Sequence, residues 1–142
     1  MANNIHTELG GINKRFKRKK DRLMTDIAKE VLTHQKSNFN SEGFNGQSYK
    51  KWKDRARPKP RKILVGVSAI HMKDSTKVVR AKFPTVILTN AKGYADQHQD
   101  GRGIVPQRQF MSKGYGGDAP KLDRRIDKRI DTFVKVVIGR GR

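Results

Sequence analysis

Apolar positions in the first third of the chain recur at helical spacing: Ile5, Leu9, Ile12 and Phe16, then Leu23, Ile27 and Val31. Steps of three, four or seven put these side chains on one helical face, and a long helix ending near Gln35 to Asn38 is expected. Gly10 and Gly11 fall inside it. Each costs about 1 kcal/mol in a helix interior, so the first turns are expected to be separate or frayed. Residues 38–48 are rich in Asn, Ser and Gly and read as a loop. The run Arg57-Pro58-Lys59-Pro60 excludes helix, because each proline drives its predecessor toward extended geometry. A long irregular connection is therefore expected before the chain becomes regular again.

Beyond it the pattern shortens. Residues 63–67 are a short apolar strand or turn, and residues 76–83 and 85–90 are strand-like by their β-branched content. With Phe83-Pro84 between them, the last two are expected to form an antiparallel hairpin. Residues 94–99 read as a short turn of helix. Gly101 and Gly103 break it before an extended stretch through Val105, Pro106 and Phe110. In the last element Leu122, Ile126, Ile130, Phe133, Val134 and Val137 stand at helical spacing. An amphipathic helix with Gly139 as its C′ residue is expected, and the β-branched end, residues 133–138, leaves a terminal strand as the alternative.

These elements make an α+β fold: a long N-terminal helix and a C-terminal helix packed on a small antiparallel sheet, with a long basic loop. A length of 142 residues has room for one core. The expected divisions are a basic N-terminal helix or arm (1–37), an extended basic loop (38–62), an α+β core ending in the C-terminal helix (63–138) and a basic tail (139–142).

Charge changes the picture. Thirty-three Lys and Arg against thirteen Asp and Glu give a net charge of +20, which calls for a polyanionic neighbour, nucleic acid above all. The excess is concentrated. Lys14, Arg15, Lys17, Arg18, Lys19, Lys20 and Arg22 face one acid, and so do Lys50, Lys51, Lys53, Arg55, Arg57, Lys59, Arg61 and Lys62. Apart from Arg22, these are the candidates for contact with nucleic acid or an acidic partner. Residues 83–119, in contrast, are almost neutral.

The chain has no cysteine, which removes disulfides, thiolate metal sites and cysteine nucleophiles and fits a reducing cytosol. No run approaches the roughly 20 apolar residues of a membrane span, and no signal-peptide type of apolar block precedes the basic cluster, so a soluble, unexported protein with no membrane partner is expected. His6, His34, His71 and His98 stand far apart, without a carboxylate or second histidine at metal spacing. No catalytic, metal or cofactor site is expected. Asp123, Asp127 and Asp131 recur every four residues and read as a solvated, ion-paired helix face rather than an acidic site. Gly114-Tyr115-Gly116-Gly117 lacks the strand and helix of a phosphate cradle and reads as a flexible tip. Trp52, set among lysines, either anchors the loop to the core or stacks on bases; the anchor is the favoured reading.

The neutral segment holds the recognisable motif. Tyr94, Ala95, His98, Gln99 and Gly101, followed by Pro106, Arg108 and Phe110, resemble the paired blocks of the phage virion morphogenesis family, the tail-completion proteins of tailed phages. Ile104 lies one residue further from the proline than in the family pattern. Gly46 and Trp52 are similar to the family's Gly-x-x-Trp region at longer spacing, and Ala69-Ile70 replaces its Thr-Gly. The resemblance spans about residues 39–133. It implies a non-enzymatic virion protein of the neck or tail, assembled in the host cytoplasm as a homo-oligomeric ring of expected six-fold order. Its partners would be the head-tail connector and the tail tube or terminator proteins, with basic surfaces near the DNA path.

From the residues themselves, Tyr94 and His98 would share one face of a short helix with Phe110 plugged beside it. Arg108 would be buried or interfacial, pairing its planar fork with a carboxylate or carbonyls. Tyr94, His98, Gly101, Pro106, Arg108 and Phe110 are therefore candidates either for subunit contacts or for structural roles. The rival reading is a non-enzymatic nucleic-acid-binding protein, ribosome-associated or DNA-compacting, that uses its Lys/Arg clusters on phosphates.

Overall fold

A computed structural model of the chain describes residues 2–54, 64 and 72–139. The fold is α+β. Helix α1 (Ala2–Ser41) is followed by strands β1 (Gly43–Asn45) and β2 (Tyr49–Lys51), a single 3₁₀ turn (Met72–Asp74), strands β3 (Thr76–Lys82) and β4 (Thr85–Asn90), a short helix α2 (Ala95–Asp100) and helix α3 (Pro120–Ile138).

At 1.5 Å per residue, the 40 residues of α1 extend about 60 Å. Its buried stripe begins at Leu23 and Met24 and runs through Ala28, His34, Gln35 and Asn38 to Phe39. Gly10 and Gly11 lie within continuous helix, so the expected break there is absent. The helix also outruns its expected end near Gln35 to Asn38. Asn38 is fully buried and its amide is used in tertiary contacts, donating to the Phe110 carbonyl (3.1 Å) and accepting from the Asn45 backbone N–H (3.0 Å). With its side chain occupied in this way, Asn38 cannot turn back on its own backbone and end the helix, as an exposed Asn commonly does.

The loop expected over residues 38–48 is replaced by the last turn of α1 and an antiparallel ribbon that pairs Gly43 with Lys51 and Asn45 with Tyr49. Gly43 permits this close turn: a Cβ there would run into the Tyr49 ring, whose hydroxyl donates to the Ser41 carbonyl (2.6 Å). The proline run falls outside the described residues. Of the short apolar stretch at 63–67 only Leu64 is described, half-buried in a turn.

β3 and β4 form the expected hairpin, pairing Thr76 with Asn90 and Lys82 with Thr85 around a bulge between Val78 and Arg80. A cis Phe83-Pro84 bond closes it. Two separate two-stranded ribbons thus stand where one small sheet was expected. The hairpin lies along α1, with the Gln35 side chain bonded to Thr76 (2.5 Å) and the Phe83 N–H to Asp21 (3.1 Å). Fourteen helical residues and seven extended ones both cover about 20 Å, which keeps the two elements in register.

α3 runs antiparallel to α1. Glu30 pairs with Arg129 (2.6 Å) and Arg125 (3.7 Å), while Arg15 Nε donates to the Val137 carbonyl (2.7 Å). Helix continues through Ile138, so the terminal strand alternative falls, and Gly139 follows with φ 88°. Phe16 ties three elements together, edge-on to Phe83 (5.3 Å) and Phe133 (5.8 Å).

Two apolar clusters result. Phe39, Trp52, Met72, Ala95 and Phe110 form one at the C-terminal end of α1. Phe44, Ala119, Leu122 and Ile126 form the other between α1 and α3. Among the described residues no helix is long and apolar enough to cross a membrane.

Candidate functional site

The motif residues assemble into one unit. Tyr94 precedes α2 and meets His98 edge-on, ring centroids 6.0 Å apart. At the other end of α2, Gly101 adopts φ 73° and ψ 57°, and its N–H donates to the Gln97 carbonyl (2.9 Å). A side chain at this position meets two obstacles: the left-handed backbone and a Cβ contact of 2.8 Å with Gln107. The reversal brings residues 107–111 alongside α2, where the Arg108 N–H donates to the His98 carbonyl (2.7 Å).

Gln99 then serves as a substitute strand. Its Oε1 accepts from the N–H groups of Phe110 (3.0 Å) and Met111 (3.1 Å), and its Nε2 donates to the Met111 carbonyl (2.9 Å). One side chain thereby satisfies two backbone N–H groups that would otherwise be short of partners, and it shares the Met111 carbonyl with the Gln109 amide (3.1 Å). Phe110 is driven into the core, 5.2 Å from the Phe39 ring. Trp52 packs edge-on against Phe39 (5.5 Å) and donates its indole N–H to the Gln109 carbonyl (2.8 Å). It is the expected anchor, and its ring is buried.

Arg108 is 6% exposed. Its Nε donates to the Lys53 carbonyl (3.1 Å), its Nη2 reaches the Asp54 carbonyl (3.5 Å) and its Nη1 stands 3.5 Å from His98 Nδ1. Carbonyls, one of the two partner types expected for its fork, are among its partners. Burial first, and the Arg108 charge second, push the His98 pKa below its ordinary value, leaving a neutral ring whose Nδ1 can accept from Arg108. Pro106 is half-buried, and Ile104 in the same loop is fully exposed. Beyond the loop, Asp118 accepts from the Gln109 side chain and from the Lys113 N–H (2.9 Å).

With family models, curated proteins and solved structures alike, the chain has no match.

The basic candidates are not brought to the motif as one surface. Lys14, Lys17 and Arg18 are exposed along the first half of α1, Lys19 and Lys20 are half-buried, and Arg15 is held by the end of α3. Lys50, Lys51 and Lys53 are exposed beside β2, and Lys51 pairs with Asp54 (3.5 Å). About 30 Å of helix separates Lys20 from Ser41, where that ribbon begins. Arg55, Arg57, Lys59, Arg61 and Lys62 lie outside the described residues, as does His71. No group of three or more His, Asp or Glu side chains placed to hold a metal ion occurs among the described residues.

Three functional side chains escaped the sequence reading. Gln99 was present in the motif, but its threefold backbone role has no local signal. Asn38 read as loop. His34 is buried edge-on against Phe44 (5.8 Å), its pKa lowered by burial and then by Arg125. Between α1, β4 and α3 there also opens an apolar groove of about 450 Å³, which no single element's pattern reveals.

Proposed function

We propose that the chain is a structural virion protein, a tail-completion or neck component that assembles as a ring between phage tail and head connector. The observation that carries this reading is the use made of Tyr94, His98, Gln99, Gly101, Arg108 and Phe110. These residues carry the resemblance to the virion morphogenesis family, and they act together as one clasp, closing a loop against α1 and β2. A ring also accounts for apolar surface that a lone subunit leaves in water, including Ile5, Leu9, Val79 and Ile104. Two small clusters are a modest core, and interfaces between copies supply further burial. In this reading the chemistry is assembly, and the positive charge faces packaged DNA or acidic virion partners.

Sedimentation and negative-stain microscopy of the purified full chain, alone and with a head-tail connector, test it. Closed rings, six-fold by expectation, are the predicted species. A strictly monomeric protein at high concentration that co-purifies with ribosomes would overturn the reading. It would favour instead a non-enzymatic nucleic-acid-binding protein, a reading supported by the exposure of Lys14, Lys17, Arg18 and Arg22 along α1.

A further inference from the structure

The apolar stripe of α1 outlasts the body it packs on. From Phe16 onward it is covered, Phe16 itself by Phe83 and Phe133. α3 ends at Ile138, beside Arg15, and the β3–β4 hairpin turns back at Phe83, next to Asp21. Ile5 and Leu9 continue the same face with 60% and 56% of their surface in water. A helical arm of about a dozen residues thus presents an amphipathic face with nothing beneath it among the described residues, at the Ile5, Leu9, Ile12 spacing by which a helix enters a groove.

The body holds a groove of the matching kind. Ile27 and Val31 of α1, Val86 and Leu88 of β4, and Ile126 and Ile130 of α3 line a cleft of about 450 Å³. Tyr115 stands at its edge and donates a hydrogen bond to Asp127. Asp123, Asp127 and Asp131 all act on the Tyr115 hydroxyl, raising its pKa, the bond to Asp127 being the largest cause. Each of these aspartates follows a lining residue of α3, Leu122, Ile126 or Ile130, so the acidic row borders the groove on that side, where among the described residues no ion pair joins it to a base; Lys113 is in the lining opposite. The arm carries the opposite arrangement: an apolar stripe followed directly by Lys14, Lys17 and Arg18. An apolar floor bordered by three carboxylates against one lysine favours a basic amphipathic helix over a nucleic acid.

A chain cannot dock its own arm here. Leu9 and Ile27 belong to one continuous helix and stand about 27 Å apart along its axis, so an arm seated in the groove comes from another molecule. We infer that the helical arm of one copy, through Ile5, Leu9 and Ile12, docks in the groove between α1, β4 and α3 of a second copy, its basic residues along the Asp123–Asp127–Asp131 rim. Stripe and groove are different surfaces, so the contact is heterologous and propagates head to tail until it closes. The inference rests on the ring reading for closure and names the contact that makes the ring.

The natural absence of cysteine allows a direct test. Two full-length variants, Leu9→Cys and Ile130→Cys, are mixed and treated with a short bis-maleimide. A cross-linked heterodimer is expected from the mixture and not from either variant alone. In parallel, Ile5→Asp with Leu9→Asp should raise the dissociation constant of self-association by at least about 100-fold while leaving the circular-dichroism melt of the body unchanged, because both positions are exposed. Wild-type assemblies whose mass is unaffected by the two Asp substitutions, with no arm-to-groove cross-link, would sink the arm and leave the ring standing. A wild-type chain that stays monomeric at every concentration would remove the ring, and the arm contact with it.

Discussion

Between Tyr94 and Met111 the polar side chains of His98, Gln99 and Arg108 turn inward, whereas at the start of α1 even the apolar Ile5 and Leu9 turn outward. In the former, Gln99, Arg108 and His98 spend their hydrogen-bonding capacity on the protein's own backbone and on one another, and Phe110 is 2% exposed. In the latter, Leu9 is half in water and Lys17 and Arg18 are bare. The near-neutral region therefore spends its polar groups on the fold, whereas in the charged region Arg15, Phe16 and Asp21 make tertiary contacts and most of the other bases stay in water. The two differ in what can be removed without consequence.

The largest effect is expected at the centre of the clasp. Phe110 packs on Phe39 and lies in one cluster with Trp52, so Phe110→Ala leaves a cavity that the surrounding elements cannot close, since each is fixed by its own hydrogen bonds. A loss of roughly 3–5 kcal/mol is expected, a large share of a small domain's stability, read from urea unfolding at constant m. A loss below about 1 kcal/mol would mean that the clasp is peripheral to the fold.

Arg108 sharpens the contrast on the polar side. Arg108→Lys keeps the charge and loses the fork that reaches the Lys53 and Asp54 carbonyls together. About 1.5–3 kcal/mol of stability should be lost, measured by the same unfolding experiment. The same change at exposed Arg18 should be silent, within about 0.5 kcal/mol. If Arg108→Lys is equally silent, the guanidinium is an exposed group lying on the clasp and not part of it.

Legibility in the sequence followed the same division. Periodicity found α1 and α3 because each packs an apolar stripe, β-branched content found the β3–β4 hairpin, and the glycines at 101 and 103 announced their positive φ. The end of α1 was misplaced because Asn38 and its neighbours have loop composition, and only the distant Phe110 carbonyl explains why Asn38 stays helical. The short β1–β2 ribbon was missed because its register depends on the Tyr49 ring lying over Gly43. At the candidate site the residues were named but not their wiring. Tyr94 beside His98 follows from a four-residue step, whereas Gln99 facing the backbone of residues 110 and 111 requires the reversal at Gly101. The groove was invisible because α1, β4, α3 and the loop at residues 111–115, far apart in sequence, together supply its walls.

The smallest effect on stability and the clearest on charge is expected from the arm. Replacing Lys17, Arg18, Lys19 and Lys20 by Gln removes four charges from a helix surface where the first two are fully in water and the others half-covered. Gln is nearly as good a helix former as Lys and Arg, so the unfolding midpoint should move little. If the arm meets phosphate, the slope of log binding constant for DNA against log salt should fall by up to about one for each phosphate no longer neutralised. A flat salt dependence in the unaltered chain would exclude DNA as the partner of this cluster and leave an acidic protein surface, for which the carboxylate row of a neighbouring α3 has the right sign and spacing. A large drop in stability would instead merge the two regions, making the basic arm as much a part of the fold as the clasp.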